Sequence, residues 1–129
     1  MELIEFRVLG DPLPKQSFRA TRGGGFTDPR IKAWQNTVSW EARRVMVDRL
    51  PLEGLLVAEL TFFRRTAQRV DLDNLSKAAL DGMQGVVFLD DTQVHQLRAM
   101  KLLGAPEPML KAIVWQPGRE YFVMPDWSV

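Results

Sequence analysis

An alternation of apolar and charged residues marks the first element of the chain. Ile4, Phe6 and Val8 are separated by Glu5 and Arg7, which is the two-residue period of a strand with one buried face. Residues 10–14 break this strand, and a polar, basic stretch follows that contains three consecutive glycines at residues 23–25. The pattern therefore predicts a strand over residues 4–8 and then a flexible hairpin or loop.

The next segment has the spacing of an amphipathic helix. Asp28 can cap the helix, and Pro29 occupies the first helical position, where proline is favoured. We predict a helix that ends between residues 48 and 50, before Pro51. Its apolar face consists of residues that recur every three or four positions: Ile31, Trp34, Val38, Ala42 and Val45.

A second strand and a second helix follow. Residues 56–63 alternate as a strand does, with Glu59 and Thr61 on the more polar face. Residues 74–83 return to a helical period, and Gly85 is placed to end that helix. The apolar face of this second helix would be formed by Leu75, Ala78, Ala79 and Met83.

The remaining elements are predicted to be strands. A short apolar strand over residues 86–89 leads into an Asp-Asp pair, and two longer strands follow over residues 94–103 and 109–115. The order predicts an α+β fold with one mixed β-sheet and two main helices, in a single domain that spans residues 1–129. The tail from about residue 117 has no clear period and is expected to dock on a neighbour or to be disordered.

The residue types that bind metals restrict the chemistry. The chain has no cysteine and one histidine, His95, which excludes disulfides, thiolate catalysis and a two-histidine metal site within one chain. Any metal would lie mainly on carboxylates, and oxygen ligands favour Mg²⁺, Mn²⁺ or Ca²⁺ over Zn²⁺ or Cu²⁺. His95 itself is explained equally well as a polar position on a strand.

Hydropathy gives an expectation about location. No apolar run approaches the ~20 residues that a membrane-spanning helix needs. The first residues also lack the basic leader and apolar block of a signal peptide. We therefore expect a cytoplasmic protein without membrane association, and we expect no nucleotide cofactor.

Basic residues are concentrated in two places, although the net charge is only +1. Each concentration is compatible with contacts to DNA phosphates and with an ordinary solvated loop. The first contains Lys15, Arg19, Arg22, Arg30 and Lys32, and the second, directly before an acidic motif, contains Arg64, Arg65 and Arg69.

The acidic motif contains two aspartates, Asp71 and Asp73, separated by one residue. Residues two apart at the end of an extended segment point the same way. Two carboxylates aimed at one point repel each other unless a cation lies between them, so the pair is a candidate Mg²⁺ site. The alternative is structural, because Asp73 is also a natural N-cap for a helix that begins at Asn74.

Four further charged residues belong to the same neighbourhood. Lys77 lies one helical turn beyond the aspartate pair, where it could steady the carboxylates, contact a phosphate or form an ordinary ion pair. Asp90 and Asp91 point in different directions, so one of them is expected to serve the site, although a polar turn explains them as well. Asp81, two turns along the helix, would be a supporting group or simply exposed.

Residues 69–94, RVDLDNLSKAALDGMQGVVFLDDTQV, resemble the signature of the RusA family of Holliday-junction resolvases. That signature is a basic lead, DLDN, a lysine in the following helix, and an Asp pair followed by Gln-Val. The segment LGDPLPKQSFRATRGGGFTDPRIKAW resembles the opening of the same family, with Gly-x-Pro-x-Pro-Lys, basic residues, an aromatic-Thr-x-Pro turn and a helix. The resemblance extends to about Leu103, and the basic lead is thinner here than in the family.

The resemblance implies a function. Family members are homodimers that bind four-way DNA junctions and nick two opposing strands with Mg²⁺, for which Mn²⁺ can substitute, and they often come from phages or prophages. The residues that match the family's catalytic positions are Asp71, Asp73, Asp91 and Lys77, with the three aspartates as metal ligands. Supporting roles are expected for Asp90, Asn74 and Asp81, and DNA contacts for Lys15, Arg19, Arg22, Arg64, Arg65 and Arg69.

Two other functions stay open at this point. One is a DNA-binding module that has lost catalysis, although retention of the three aspartates and the lysine argues against it. The other is a nuclease of the same fold that acts on other branched DNA. Cleavage of four-way, three-way and linear DNA with Mg²⁺ and with EDTA discriminates among them.

Overall fold

The computed structural model describes residues 3–15 and 28–125, and within them the predicted fold class is confirmed. Four strands form one sheet, in the order β1-β4-β2-β3. No helix in the described ranges is long and apolar enough to cross a membrane. The strands are β1 (Leu3–Leu9), β2 (Leu56–Arg64), β3 (Val94–Leu103) and β4 (Met109–Trp115), and the main helices are α1 (Pro29–Val45) and α2 (Leu72–Met83).

The sheet is mixed because its strands pair in both directions. β1 pairs with β4, and β4 with β2, in antiparallel register. β2 and β3 are parallel, with Leu56 opposite Val94 and Arg64 opposite Leu103. A parallel pair needs a crossover connection, and α2 provides it between these two strands.

The helices cover one face of the sheet, because apolar side chains recur at every second position of β1, β2 and β4 and point to that face. Every second residue of β1 and β4 is buried, and the core-facing row of β2 continues through Phe62 to Arg64. The helices approach each other closely at Gly82, where a Cβ atom would lie 2.8 Å from the Cβ of Val38. From the helices, the core receives Trp34, Val38, Ala42, Leu75, Ala78, Ala79 and Met83.

The structure corrects the predicted boundaries of α1. The helix ends at Val45, which is 37% exposed, and Met46 at the C-cap is buried in its place. Asp48 has a positive φ of 60°, a conformation that cannot continue a right-handed helix. The predicted cap at Asp28 is confirmed, since its side chain accepts a hydrogen bond from the backbone N–H of Arg30 at 2.8 Å.

The strand predicted over residues 86–89 is wrong. Phe88 forms only isolated bridges, to Leu52 and Gln84, and the segment is otherwise a turn after α2. Gly85, with a positive φ of 85°, begins this turn just after the helix, in agreement with its predicted role as a terminator. Val87 and Phe88 are buried, so the apolar run packs against the core without extending the sheet.

Aromatic residues after β4 cover part of their own sheet. Tyr121 donates a hydrogen bond to the Gln96 side chain at 2.7 Å, and Phe122 packs edge-on against His95. Of the tryptophans on α1, Trp34 is buried on the predicted apolar face, whereas Trp40 is 63% exposed. The predicted extent of the domain, residues 1–129, stays a prediction, and Trp127 lies outside the described residues.

Candidate active site

Helix α2 runs the length of the parallel strand pair and separates two groups of acidic residues. Near its start, the Lys101 ammonium of β3 donates to the backbone oxygen of Val70 at 2.6 Å, which places this end at the carboxyl ends of β2 and β3. Beyond its end, the Gln93 side chain donates to the backbone oxygens of Leu52 and Gly54, at 3.0 and 3.1 Å. Those residues precede β2, so this group lies at the opposite edge of the strand pair.

The first acidic cluster, Asp71 and Asp73, lies at the start of α2. The helix begins at Leu72 with Asp71 at the N-cap, so the expectation that Asp73 caps a helix beginning at Asn74 is wrong. The Asp71 side chain makes no capping hydrogen bond, and its one described contact is the Asn74 amide at 3.5 Å. Both carboxylates are exposed at the end of the helix where the macrodipole favours negative charge.

Asp73, Lys77 and Asp81 follow one another at four-residue intervals and therefore share one face of α2. Lys77 is exposed. Asp81 pairs with Lys15, whose ammonium lies 2.7 Å from its carboxylate. The backbone N–H of Lys15 also donates to the Asn74 oxygen at 2.9 Å, so the segment before residue 16 lies along this face.

The second acidic cluster combines Asp81, in the last turn of α2, with Asp90 and Asp91, which follow the helix. Asp90 caps a short 3-10 helix, accepting from the backbone N–H of Thr92 at 3.0 Å, and the Gln93 side chain accepts from the Asp90 N–H in return. This reciprocal capping box fixes the turn that carries both aspartates. Asp90 therefore has the role of a polar turn residue, which was the structural alternative for the Asp pair.

The pKa values of the Asp pair move in opposite directions. The backbone hydrogen bond from Thr92 and a hydrogen bond with Asp91 lower the pKa of Asp90. Partial burial, the hydrogen bond with Asp90 and the negative charges of Asp90 and Asp81 raise the pKa of Asp91, while Lys15 lowers it. The electrostatic influence of Asp81 and Lys15 indicates that Asp91 lies near them.

The predicted convergence of Asp71, Asp73 and Asp91 does not occur within one chain. In the described residues, no group of three histidine or carboxylate side chains could hold a metal ion. The reason is the length of α2: eight residues separate Asp73 from Asp81, which is about 12 Å of helix. A site that joins Asp91 to Asp71 and Asp73 would need residues 86–89 near the end of β2, but their bridge to Leu52 puts them near its start.

The predicted DNA-contact residues differ in their surroundings. Arg65 and Arg69 are exposed, as phosphate contacts would be. Arg64 is only 4% exposed, and its Nε and Nη1 atoms have no hydrogen-bond partner. Lys15 is held by Asp81, and Arg19 and Arg22 lie outside the described residues.

Lys101 was not foreseen from the sequence, although a signal for it was present. It interrupts the apolar run between Met100 and Leu102 near the end of β3. The parallel register places it opposite Phe62, so it shares the helix-covered face of the sheet. A lysine at such a core-side position of a strand indicates a specific partner, which here is the Val70 carbonyl beside the first acidic cluster.

Comparison with known proteins gives the family. No curated protein matches the sequence. A family model described as endodeoxyribonuclease RusA matches residues 10–112, which include every described residue of the two acidic clusters, Lys15, Lys77 and Lys101. The chain therefore belongs to the RusA family of endodeoxyribonucleases.

Proposed function

We propose that the protein resolves Holliday junctions, by Mg²⁺-dependent hydrolysis of phosphodiester bonds at two symmetric positions of a four-way DNA junction. The observation that carries the proposal is the first acidic cluster, two exposed carboxylates that take little part in internal contacts, in a chain of an endodeoxyribonuclease family. The proposal places the activity in DNA recombination and repair, in the cytoplasm, with a phage or prophage origin.

The donor chemistry fits the proposed metal, and the single-chain geometry does not. Carboxylate oxygens are the ligands that Mg²⁺ prefers, together with water and phosphate oxygens. When bound, the ion would supply an activated water and neutralise charge on the phosphate. Within one chain, however, no group of three described carboxylates could hold an ion, so we derive no catalytic step from a single subunit.

We therefore propose that the functional unit is a homodimer in which Asp71 and Asp73 of one subunit approach Asp91 of the other. Paired symmetric nicks need two equal sites, which a two-fold dimer supplies from one interface. The separation of the two acidic clusters within one chain supports an active site that is shared between two subunits. Lys77, exposed on the same face as Asp73, would steady the carboxylates or contact the phosphate.

Exposed apolar residues on the edge strand support the homodimer. β3 is at the edge of the sheet, and an exposed, apolar edge strand is a common place for pairing with another chain. The tail residues Tyr121 and Phe122 contact the first part of β3, at His95, Gln96 and Arg98. Large apolar side chains of this strand remain between 41% and 57% exposed, namely Leu97, Met100, Leu102 and Leu103.

The activity is tested with synthetic DNA. Purified protein should nick a four-way junction with Mg²⁺ or Mn²⁺ and not with EDTA, and should act far less on linear duplex. Binding without cleavage would instead favour the non-catalytic module. Equal cleavage of three-way or flapped DNA would favour a nuclease of broader branched-DNA specificity.

Mixing two inactive variants tests the shared site. If the site draws on both subunits, a heterodimer of Asp73→Asn and Asp91→Asn carries both changes in one site and none in the other. Random re-pairing should then restore about a quarter of the wild-type nicking, with single nicks instead of paired ones. No recovery, with heterodimers shown by mass spectrometry, would mean that each site lies within one chain.

A further inference from the structure

Arg64 is a buried charge that the proposed chemistry leaves unexplained. Its side chain continues the core-facing row of β2, after Ala58, Leu60 and Phe62, and only 4% of the residue is exposed. Among the residues that the structure describes, two guanidinium nitrogens, Nε and Nη1, have no hydrogen-bond partner. A buried charge without a partner is costly and rare in proteins, so an anion in the functional state would explain why it is there.

A second cation lies beside it on the same face of the sheet. Lys101 is opposite Phe62 in the parallel register, two residues before the partner of Arg64. Strand spacing and rise place the Cα atoms of Arg64 and Lys101 roughly 8 Å apart. Both side chains belong to the helix-covered face, at the carboxyl ends of β2 and β3, which in parallel sheets is the edge where ligands bind.

The loop over residues 65–70 closes this end of the core. It connects β2 to α2, and Val70 packs against the apolar cluster. Lys101 holds the loop through the Val70 oxygen at 2.6 Å, and Asp11 holds its other end by accepting from the Arg65 N–H at 3.2 Å. An anion that attracts Lys101 would therefore release the loop that directly follows Arg64.

We propose that Lys101 and Arg64 form a binding site for one DNA phosphate, closed in the free protein by the loop over residues 65–70. The phosphate draws Lys101 from the Val70 carbonyl, the loop opens, and the guanidinium gains the partner that it lacks. The bound phosphate lies next to Asp71, which directly follows the loop. This inference rests on the chain's membership of a DNA-cleaving family and deepens the proposed function by naming a contact that fixes the DNA backbone.

The test combines DNA affinity with stability in one variant. Arg64→Met should weaken binding about 10- to 100-fold, as expected for a lost hydrogen bond to a charged group. The same variant should raise the melting temperature of the free protein by a few degrees, because it removes an unsatisfied buried charge. Arg43→Met, an exposed arginine on α1, is the matched control and should change neither quantity measurably.

Lys101→Met gives an independent measurement. It should reduce DNA affinity and lower the salt dependence of binding by about one unit of slope. In the double variant the losses should be less than additive, since both side chains contact one phosphate. Hydrogen exchange of residues 65–70 should increase when wild-type protein binds DNA, and should already be raised in free Lys101→Met.

Binding is measured in EDTA on linear duplex and on a four-way junction, which separates this inference from the proposed function. Reduced binding of both DNAs by Arg64→Met supports the inference even if the junction is not preferred. Unchanged binding by a folded Arg64→Met contradicts it even if the wild type resolves junctions. Destabilisation or failure to fold of Arg64→Met would also contradict it, because the charge would then have an internal partner such as Asp11.

Discussion

The two ends of α2 carry similar numbers of carboxylates that are used in different ways. At the start, Asp71 and Asp73 are exposed, and their only described side-chain contact is a long one from Asn74. At the other end, Asp81 in the last turn pairs with Lys15, and Asp90 beyond the helix caps a 3-10 helix. Carboxylates that already form internal hydrogen bonds or ion pairs are poorly available to an ion or a phosphate. The first cluster is therefore the better candidate for chemistry. In the second cluster, Asp81 and Asp90 mainly set the electrostatic environment of Asp91.

Neutralising the first cluster should have the largest effect on activity. In Asp73→Asn we expect cleavage to fall at least about 100-fold, since a metal ligand contributes several kcal/mol to stabilising charge in the transition state. Binding of the junction should be retained or strengthened, because a negative charge near DNA phosphates is removed. Cleavage assays and gel shifts on one preparation measure both.

The control for this variant is Asp48→Asn. Asp48 is exposed and has a positive φ of 60°, a conformation that asparagine adopts readily. Circular dichroism should show both variants folded. Unimpaired cleavage by Asp73→Asn would contradict the conclusion that the first cluster is the better candidate for chemistry.

Within the second cluster, the prediction concerns pH. Asp91 must be ionised to bind a metal, and its pKa is raised by partial burial and by Asp90. Activity should therefore increase with pH through the pKa of Asp91. Asp90→Asn should move this acid limb to lower pH, because an uncharged neighbour lets Asp91 ionise more easily.

Lys15→Met should move the same limb in the opposite direction. Lys15 lowers the pKa of Asp91, so its loss raises that pKa and activity appears at higher pH. Profiles of cleavage against pH for the two variants and the wild type check the signs. Shifts in the same direction would show that Asp91 is not the group that limits activity at low pH.

The smallest expected effect is the coupling between Lys15 and Asp81. Their side chains are 52% and 33% exposed, and solvent-exposed ion pairs contribute at most about 1 kcal/mol. A double-mutant cycle with Lys15→Met and Asp81→Asn, followed by denaturant unfolding, should give a coupling below that value. A much larger coupling would make this pair a main support of the fold and not only an electrostatic neighbour of Asp91.

Local patterns predicted the elements well and the positions of the acidic groups poorly. The strands at Val94–Leu103 and Met109–Trp115 have the predicted bounds, because alternation is a property of a few neighbouring residues. The apolar run at residues 86–89 has no period, and whether Phe88 joins a sheet depends on Leu52, which is distant in sequence. The location of Asp91 depends on that contact, so local sequence does not show at which end of β2 it lies.

Burial was equally hard to predict from local sequence. Arg64, Arg65 and Arg69 look alike in a basic stretch, yet Arg64 is enclosed and the other two are exposed. The difference comes from Arg64 being the last residue of β2, on the face that the helices cover. Family resemblance identified the membership of the chain correctly, while only the three-dimensional arrangement distinguishes these three arginines.

The position of β4 has a consequence for how the molecule is built during synthesis. β4 is the last strand in the sequence, but it lies between β1 and β2 in the sheet. The β2-α2-β3 unit can begin to form from neighbouring sequence, whereas β1 has no described strand partner until β4 has been translated. Pairings over such long separations form slowly, so we expect the nascent chain to hold β1 and one edge of β2 unpaired until a late step in which β4 inserts between them.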